Sequence, residues 1–256
     1  MHSVAMPRWI VSGAPRPAAP KLYCFAQGGG SAAEYLRWAR DLPGAEIHAV
    51  QLPGRGSRLN EPVFTSMDPL VEGLLAHLPL GAAPCAFFGH SLGSLIAYEV
   101  TRALREADRP LPARLVVSGY PAPHLPRTSQ ELHTLPDAEL IETVSRTHGG
   151  IPEEVLASAE LRELAAIALR ADYQVLETYS WRPGEPLSLP ITVFGGRADH
   201  VTAEQLQAWQ ELTTGEVTVQ QFPGGHFYLR EQPAPVLRAL AGALRSVRTK
   251  ERSAPC

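Results

Sequence analysis

Cysteine is scarce in this chain of 256 residues: Cys24, Cys85 and Cys256 are widely separated, and no pair of them has metal-ligand spacing. A reducing, cytoplasmic compartment is the simplest expectation for such a chain. An excess of charge is also missing. Lys and Arg number 23 against 26 Asp and Glu, a net charge of −3, which argues against a dedicated nucleic-acid binder with its basic face or stripe. No stretch approaches the roughly 20 apolar residues that span a bilayer. Residues 1–20, with Arg8, Arg16 and four prolines, contain no apolar segment fit for a signal peptide. No internal repeat is visible. What remains is a small-molecule or protein partner, and a hydrophobic content of 45%, ordinary for a globular protein. That length suits one α/β domain with a full core and leaves no room for a second catalytic one.

Strand-like runs at 22–25, 47–51, 86–88, 115–117, 191–194 and 217–221 are separated for the most part by helical patterns. The helical stretches cover 32–41, 67–78 with Ser66 as cap, 94–106, 203–211 and 235–247. This alternation predicts a mostly parallel sheet flanked by helices. Between Gly119 and Pro190 the rhythm breaks, with helical runs at 136–147 and 158–180 and no convincing strand. Leu140, Ile141 and Val144 share a face of the first run; Leu161, Leu164, Ala165, Ala168 and Leu169 share one of the second, followed by Val175 and Leu176. Both faces are expected to cover something apolar. The expected organisation is an N-terminal arm (1–20), a core (21–119 and 186–247), a helical lid (120–185) and a flexible tail (248–256).

Gly89-His90-Ser91-Leu92-Gly93 follows the apolar run Cys85-Ala86-Phe87-Phe88 and precedes a helix, which is the nucleophile-elbow pattern G-x-S-x-G. Three fixed residues in five recur by chance, so the flanking strand and helix carry the weight. An elbow requires an acid after a later strand and then a histidine, in that order. Asp199 stands in the loop after Ile191-Thr192-Val193-Phe194, and His226 follows the strand-like run ending at Phe222. Alone, Asp199 would read as a turn residue; the series singles it out. His200 rivals His226, but adjacent residues rarely face each other well enough to pair with Asp199. His90, inside the elbow, reads as a structural residue that packs against or hydrogen-bonds to the surrounding loops rather than as the base.

Acyl transfer also needs two N–H groups for the oxyanion of the tetrahedral intermediate. Leu92 supplies one, directly after the nucleophile. The other is expected at Gln27, in the loop Phe25-Ala26-Gln27-Gly28-Gly29-Gly30-Ser31. A phosphate-binding reading of that loop lacks the lysine of a P-loop. Ser91 as nucleophile, His226 as base and Asp199 as its orienter amount to a hydrolase, without separating peptidase, esterase and thioesterase.

Several motifs together point further: Leu22-Tyr23-Cys24-Phe25 with Gly28-Gly29-Gly30-Ser31, Tyr35 and Trp38, Gln51-Leu52-Pro53-Gly54-Arg55-Gly56, the elbow, Arg170-Ala171-Asp172-Tyr173, Gly195-Gly196-Arg197-Ala198-Asp199 and Gly225-His226-Phe227-Tyr228. The set resembles the type II thioesterases of polyketide and nonribosomal peptide pathways, across nearly the whole chain. The resemblance implies an α/β-hydrolase fold and a substrate carried as an acyl or aminoacyl thioester on the phosphopantetheine arm of a carrier protein. It implies no cofactor and no metal in the enzyme, and a role in clearing stalled or aberrant chains. Family members commonly have proline, an aromatic or histidine, then alanine where this chain has Ala26-Gln27-Gly28. Alternatives are a product-releasing thioesterase, a general carboxylesterase and a catalytically silent carrier-binding module; the last conflicts with an intact Ser91, Asp199 and His226. Arg55, Arg58, Arg127 and Arg146 are candidates for docking an acidic carrier protein, and Arg55 also for shaping the rim. A monomer is the default expectation, and the apolar lid faces favour an apolar acyl group.

Overall fold

A computed structural model of the chain describes residues 9–81, 83–126 and 131–249. Expectations for residues 1–8, Arg127 and 250–256, Cys256 among them, lie outside the described residues. Seven strands form one sheet: β1 (Ile10–Ser12), β2 (Lys21–Phe25), β3 (Glu46–Val50), β4 (Cys85–His90), β5 (Arg114–Ser118), β6 (Ile191–Gly196) and β7 (Val217–Phe222). Their order is β1-β3-β2-β4-β5-β6-β7. β1 runs antiparallel to β3, and every other neighbouring pair is parallel. The expected strands are all present, most of them a residue or two longer at their ends. β1 is an addition. At three residues it is too short to show a period, and it is held by its pairing of Ile10 with Val50 and Ser12 with His48.

The helices are α1 (Ala32–Leu36), α2 (Trp38–Asp41), α3 (Met67–His77), α4 (Leu92–Glu106), α5 (Asp137–His148), α6 (Glu153–Ala157), α7 (Ala159–Thr178), α8 (Ala203–Gln207), α9 (Tyr228–Glu231) and α10 (Pro233–Thr249). Ser66 stands at the head of α3, but its side chain makes no capping bond. Strand side chains alternate between the two faces, as a pleat requires. Tyr23, Phe25, Phe87, Leu115 and Val117 pack with α3 and α4. Leu22, Cys24, Ala86, Phe88 and Val116 pack on the opposite face with α1, α2 and α10. Three layers result, with the middle strands buried on both faces. No described helix is long and apolar enough to cross a membrane.

Helices α5, α6 and α7 occupy the interval between β5 and β6; Leu132 from the turn before α5, Leu140, Ile141 and Val144 of α5, and Ala166 and Leu169 of α7 build a separate small core there, to which α6 contributes no buried side chain. One expectation for this insertion fails. Leu161 and Leu164, placed on the covered face of α7, are 42% and 44% exposed, and Ile167 is 55% exposed. The helix buries Ala168, Leu169 and Val175 as expected, together with Ala166, Ala171 and Asp172, while its first two turns, residues 159–165, bury no side chain.

Candidate active site

At the carboxyl end of β4 the chain turns into α4 through Ser91, whose φ of 54° and ψ of −123° lie where residues with a Cβ are seldom found. The glycines on either side permit the turn. A Cβ on Gly89 would lie 2.1 Å from the carbonyl oxygen of Gly93, and one on Gly93 would lie 2.1 Å from that of Phe25. Helix α4 therefore abuts both its own strand and the end of β2. The Ser91 N–H donates to the carbonyl of Ser118 at 2.8 Å, and the Ser94 hydroxyl donates to that of Gly89 at 2.8 Å, which ties the turn to β5.

The loops after β6 and β7 abut as closely. Ala198 N–H donates to the Gly224 carbonyl at 2.9 Å, and a Cβ on Gly196 would lie 2.3 Å from the Gly225 carbonyl oxygen. This contact brings Asp199 and His226 together, with His226 Nδ1 2.9 Å from Asp199 Oδ2. A carboxylate accepts only, so the proton sits on Nδ1 and Nε2 keeps its lone pair. Burial opposes ionisation of Asp199, but hydrogen bonds from His200 and His226 outweigh it and hold the carboxyl well below the usual carboxylate range.

His200 differs from expectation, since it does pair with its neighbour. Both its backbone N–H and its ring Nδ1 lie 2.7 Å from Asp199 Oδ1. The carboxylate folds back over the following residue as short polar side chains do in turns, leaving Oδ2 for His226. His90 is fully buried, its Nδ1 2.9 Å from the Ser118 hydroxyl, which also meets the Tyr228 hydroxyl. Burial and the nearby His226 push its pKa well below the ordinary imidazole value, so it stays neutral. Gly119 (φ 60°) makes room for both rings: a Cβ there would lie 2.8 Å from His90 and 3.4 Å from His226.

Ser91, Leu92, Gln27 and His226 all line a cavity of about 780 Å³, whose opposite side is formed in part by Val144, Leu169 and Leu176 of the insertion. Its size falls within the range of small-molecule sites, about 300–1,000 Å³. Asp199 sits behind His226, its side chain 1% exposed. Among the described residues, the backbone N–H groups of Gln27 and Leu92 donate to no protein acceptor. The Gln27 side chain is already engaged, its Nε2 donating to Glu34 at 2.7 Å, so its backbone group is the donor left over. Glu34 in turn takes two bonds from Arg230, at 2.7 and 2.9 Å.

An ion pair that sequence reasoning did not foresee completes the loop. Asp172 on α7 accepts from the Gly29 N–H at 2.7 Å and from Nη1 and Nη2 of Arg55, at 2.5 and 2.8 Å. Arg55 is therefore buried and unavailable for docking. Arg58 is buried too, bonded to the Gln51 carbonyl at 2.9 Å and Glu61 at 2.6 Å with its guanidinium 4.1 Å from the Trp9 ring centre. Of the proposed docking arginines, Arg146 is exposed, 3.7 Å from Glu142. The motifs Pro-Gly-Arg-Gly and Arg-Ala-Asp-Tyr were visible as separate signatures; that they hold a single ion pair was not.

A family model described as a thioesterase domain matches residues 20–244. The chain is 37% identical over 244 residues to the gramicidin S biosynthesis protein GrsT of Aneurinibacillus migulanus, covering 94% of this chain and 95% of that one. It is 35% identical over 233 residues to the thioesterase PikA5 of Streptomyces venezuelae, covering 88% and 81%. The solved structure of the type II thioesterase BorB from the borrelidin biosynthetic cluster superposes with a TM-score of 0.81 at 36% identity, over 94% of this chain and 97% of that chain. The strand order, the elbow and these likenesses lead to one assignment: the chain belongs to the thioesterase domain family and has the α/β-hydrolase fold.

Proposed function

We infer that this protein is a serine thioesterase that removes acyl or aminoacyl groups from the phosphopantetheine arm of carrier proteins, clearing aberrant or stalled chains in polyketide or nonribosomal peptide synthesis. The observation that carries this reading is the strained Ser91 and the Asp199-bonded His226 lining one cavity in a thioesterase-family chain.

In this reading Ser91 Oγ attacks the thioester carbonyl while His226 Nε2 takes its proton. The N–H groups of Leu92 and Gln27 receive the oxyanion, and Asp199 stabilises the imidazolium. Collapse breaks the C–S bond. A thiol with a pKa of about 8.5 leaves largely as thiolate, so departure asks less of the acid than an amine would. His226 gives its proton to the departing sulfur and is neutral again; water then attacks the acyl-serine with His226 as base, the acyl–Oγ bond breaks, Ser91 Oγ takes the proton back, and the free acid is released. Every catalytic group comes from the protein, the phosphopantetheine arrives with the carrier, and the working unit is a cytoplasmic monomer. The insertion acts as a lid whose apolar lining favours an apolar acyl chain.

The test is intact-protein mass spectrometry of a panel of acylated carrier proteins, with Ser91→Ala as control and matched coenzyme A thioesters and oxyesters in competition. Ser91-dependent unloading of several short acyl groups is expected. Preference for one long chain would assign product release instead, and cleavage confined to oxyesters would overturn the carrier-protein substrate.

A further inference from the structure

Three imidazoles converge beside the site from three separate segments: His148 ends α5, His200 follows Asp199 after β6, and His226 follows β7; His148 and His226 also line the cavity. One ring nitrogen from each lies within 4.8 Å of the others. Ring centres are 4.8 Å apart for His148 and His200, 5.0 Å for His148 and His226, and 5.3 Å for His200 and His226.

The chemistry of the donors is more telling than their number. Asp199 engages Nδ1 of both His200 and His226, at 2.7 and 2.9 Å, so both rings are held as the tautomer whose Nε2 is a free lone pair. That carboxylate–histidine arrangement is the outer shell that metal-binding imidazoles ordinarily have. The Nδ1 of His148 is buried with no hydrogen-bond partner, and it belongs to the insertion, whereas the other two belong to the core. Zinc at about 2.0–2.1 Å from each nitrogen in a tetrahedral site holds its ligands roughly 3.4 Å apart. The rings need to close by about an ångström or so, which side-chain rotation of the half-exposed His200 and a small approach of α5 supply.

We propose that His148, His200 and His226 form a reversible inhibitory site for a divalent transition ion of the zinc class, with water as fourth ligand. Imidazole ligands suit zinc, copper and nickel, and disfavour calcium and magnesium. Occupation takes the lone pair of His226 Nε2 and ties α5 to the core at the wall of the cavity that His148 and His226 form. The inhibition rests on His226 being the base; the binding does not. General-base catalysis contributes about 10²–10⁴-fold, so hydrolysis in saturating zinc falls by at least about a hundredfold and returns on chelation.

The experiment uses full-length protein without a histidine tag. Cobalt(II) is titrated and followed by its visible ligand-field absorption, zinc is titrated by calorimetry, and thioester hydrolysis is measured at each metal concentration. The expected result is one ion per chain with the intense absorption of four- or five-coordinate cobalt. In His148→Ala and in His200→Ala, affinity weakens by at least about 10–100-fold, the scale already set by loss of outer-shell partners. His148→Gln serves if the alanine variant is poorly folded by circular dichroism. Rates are compared with each variant's own metal-free rate. Titrations that are the same in wild type and variants, or weak six-coordinate cobalt spectra, overturn the site. One tightly bound ion, lost in the variants but without effect on hydrolysis in the wild type, supports the site and overturns His226 as the base.

Discussion

Ser91 keeps its strained backbone because the atoms around it leave no alternative, and Gly93 shows how narrow the tolerance is. With the Phe25 carbonyl oxygen 2.1 Å from where a Cβ would stand, Gly93→Ala forces β2 and α4 apart. We expect a loss of at least about 2 kcal/mol of stability, as for overpacked cores, measured by urea unfolding, together with a fall in hydrolysis because Gln27 and Leu92 sit on the two displaced segments. A variant of unchanged stability would show that the elbow is looser than its geometry implies. The candidate residues Ser91, Asp199 and His226 were legible because each carries a local signal, a glycine-flanked turn or a loop after an apolar run. His148 carries none, and Asp172 shows only as part of the Arg-Ala-Asp-Tyr motif, with nothing local to name its partner. The partner of Asp172, Arg55, lies 117 residues away in the chain, and no spacing rule reaches that far.

Among the elements, the Arg55–Asp172 pair joins three that share no sequence neighbourhood: the loop after β3, the glycine loop after β2 and α7. Removing one partner of a buried pair costs about 3–5 kcal/mol, whereas replacing both with apolar residues is often nearly neutral. Arg55→Met and Asp172→Leu are each expected to lower stability on that scale and to restore much of it when combined. Hydrolysis in the double variant should stay depressed by roughly tenfold or more, since Gly29 loses its anchor and loop placement governs reactivity. Chemical denaturation alongside kcat separates the two effects; full recovery of rate would mean the pair only stabilises. A contrasting expectation holds for the outer face of α7. Leu161→Glu, Leu164→Glu and Ile167→Glu should each change stability by no more than about 0.5 kcal/mol, measured as a shift in Tm, because these side chains are largely exposed. Periodicity marks which residues of a helix are apolar; it does not say which of several apolar stripes finds a partner. For the core strands, buried on both faces, no such choice exists, and they were read almost to the residue.

For the whole molecule, alternation of strands and helices was enough to predict a flanked parallel sheet, because each crossover must return on a helix. The antiparallel β1 escaped because only pairing with β3 makes it a strand. The sheet also encloses two free thiols. Cys24 lies at its centre, 0% exposed, and Cys85 at the start of β4, 8% exposed. Burial raises both, Cys85 to about 11 and Cys24 beyond the usual thiol range, so at neutral pH neither offers reagent a thiolate while the sheet is closed. With Cys256→Ser removing the remaining thiol, alkylation at these positions becomes a stopwatch for opening of the sheet. Its rate should follow global unfolding as urea is added, with Cys24 and Cys85 modified in step; early modification of Cys85 alone would time the separate fraying of β4.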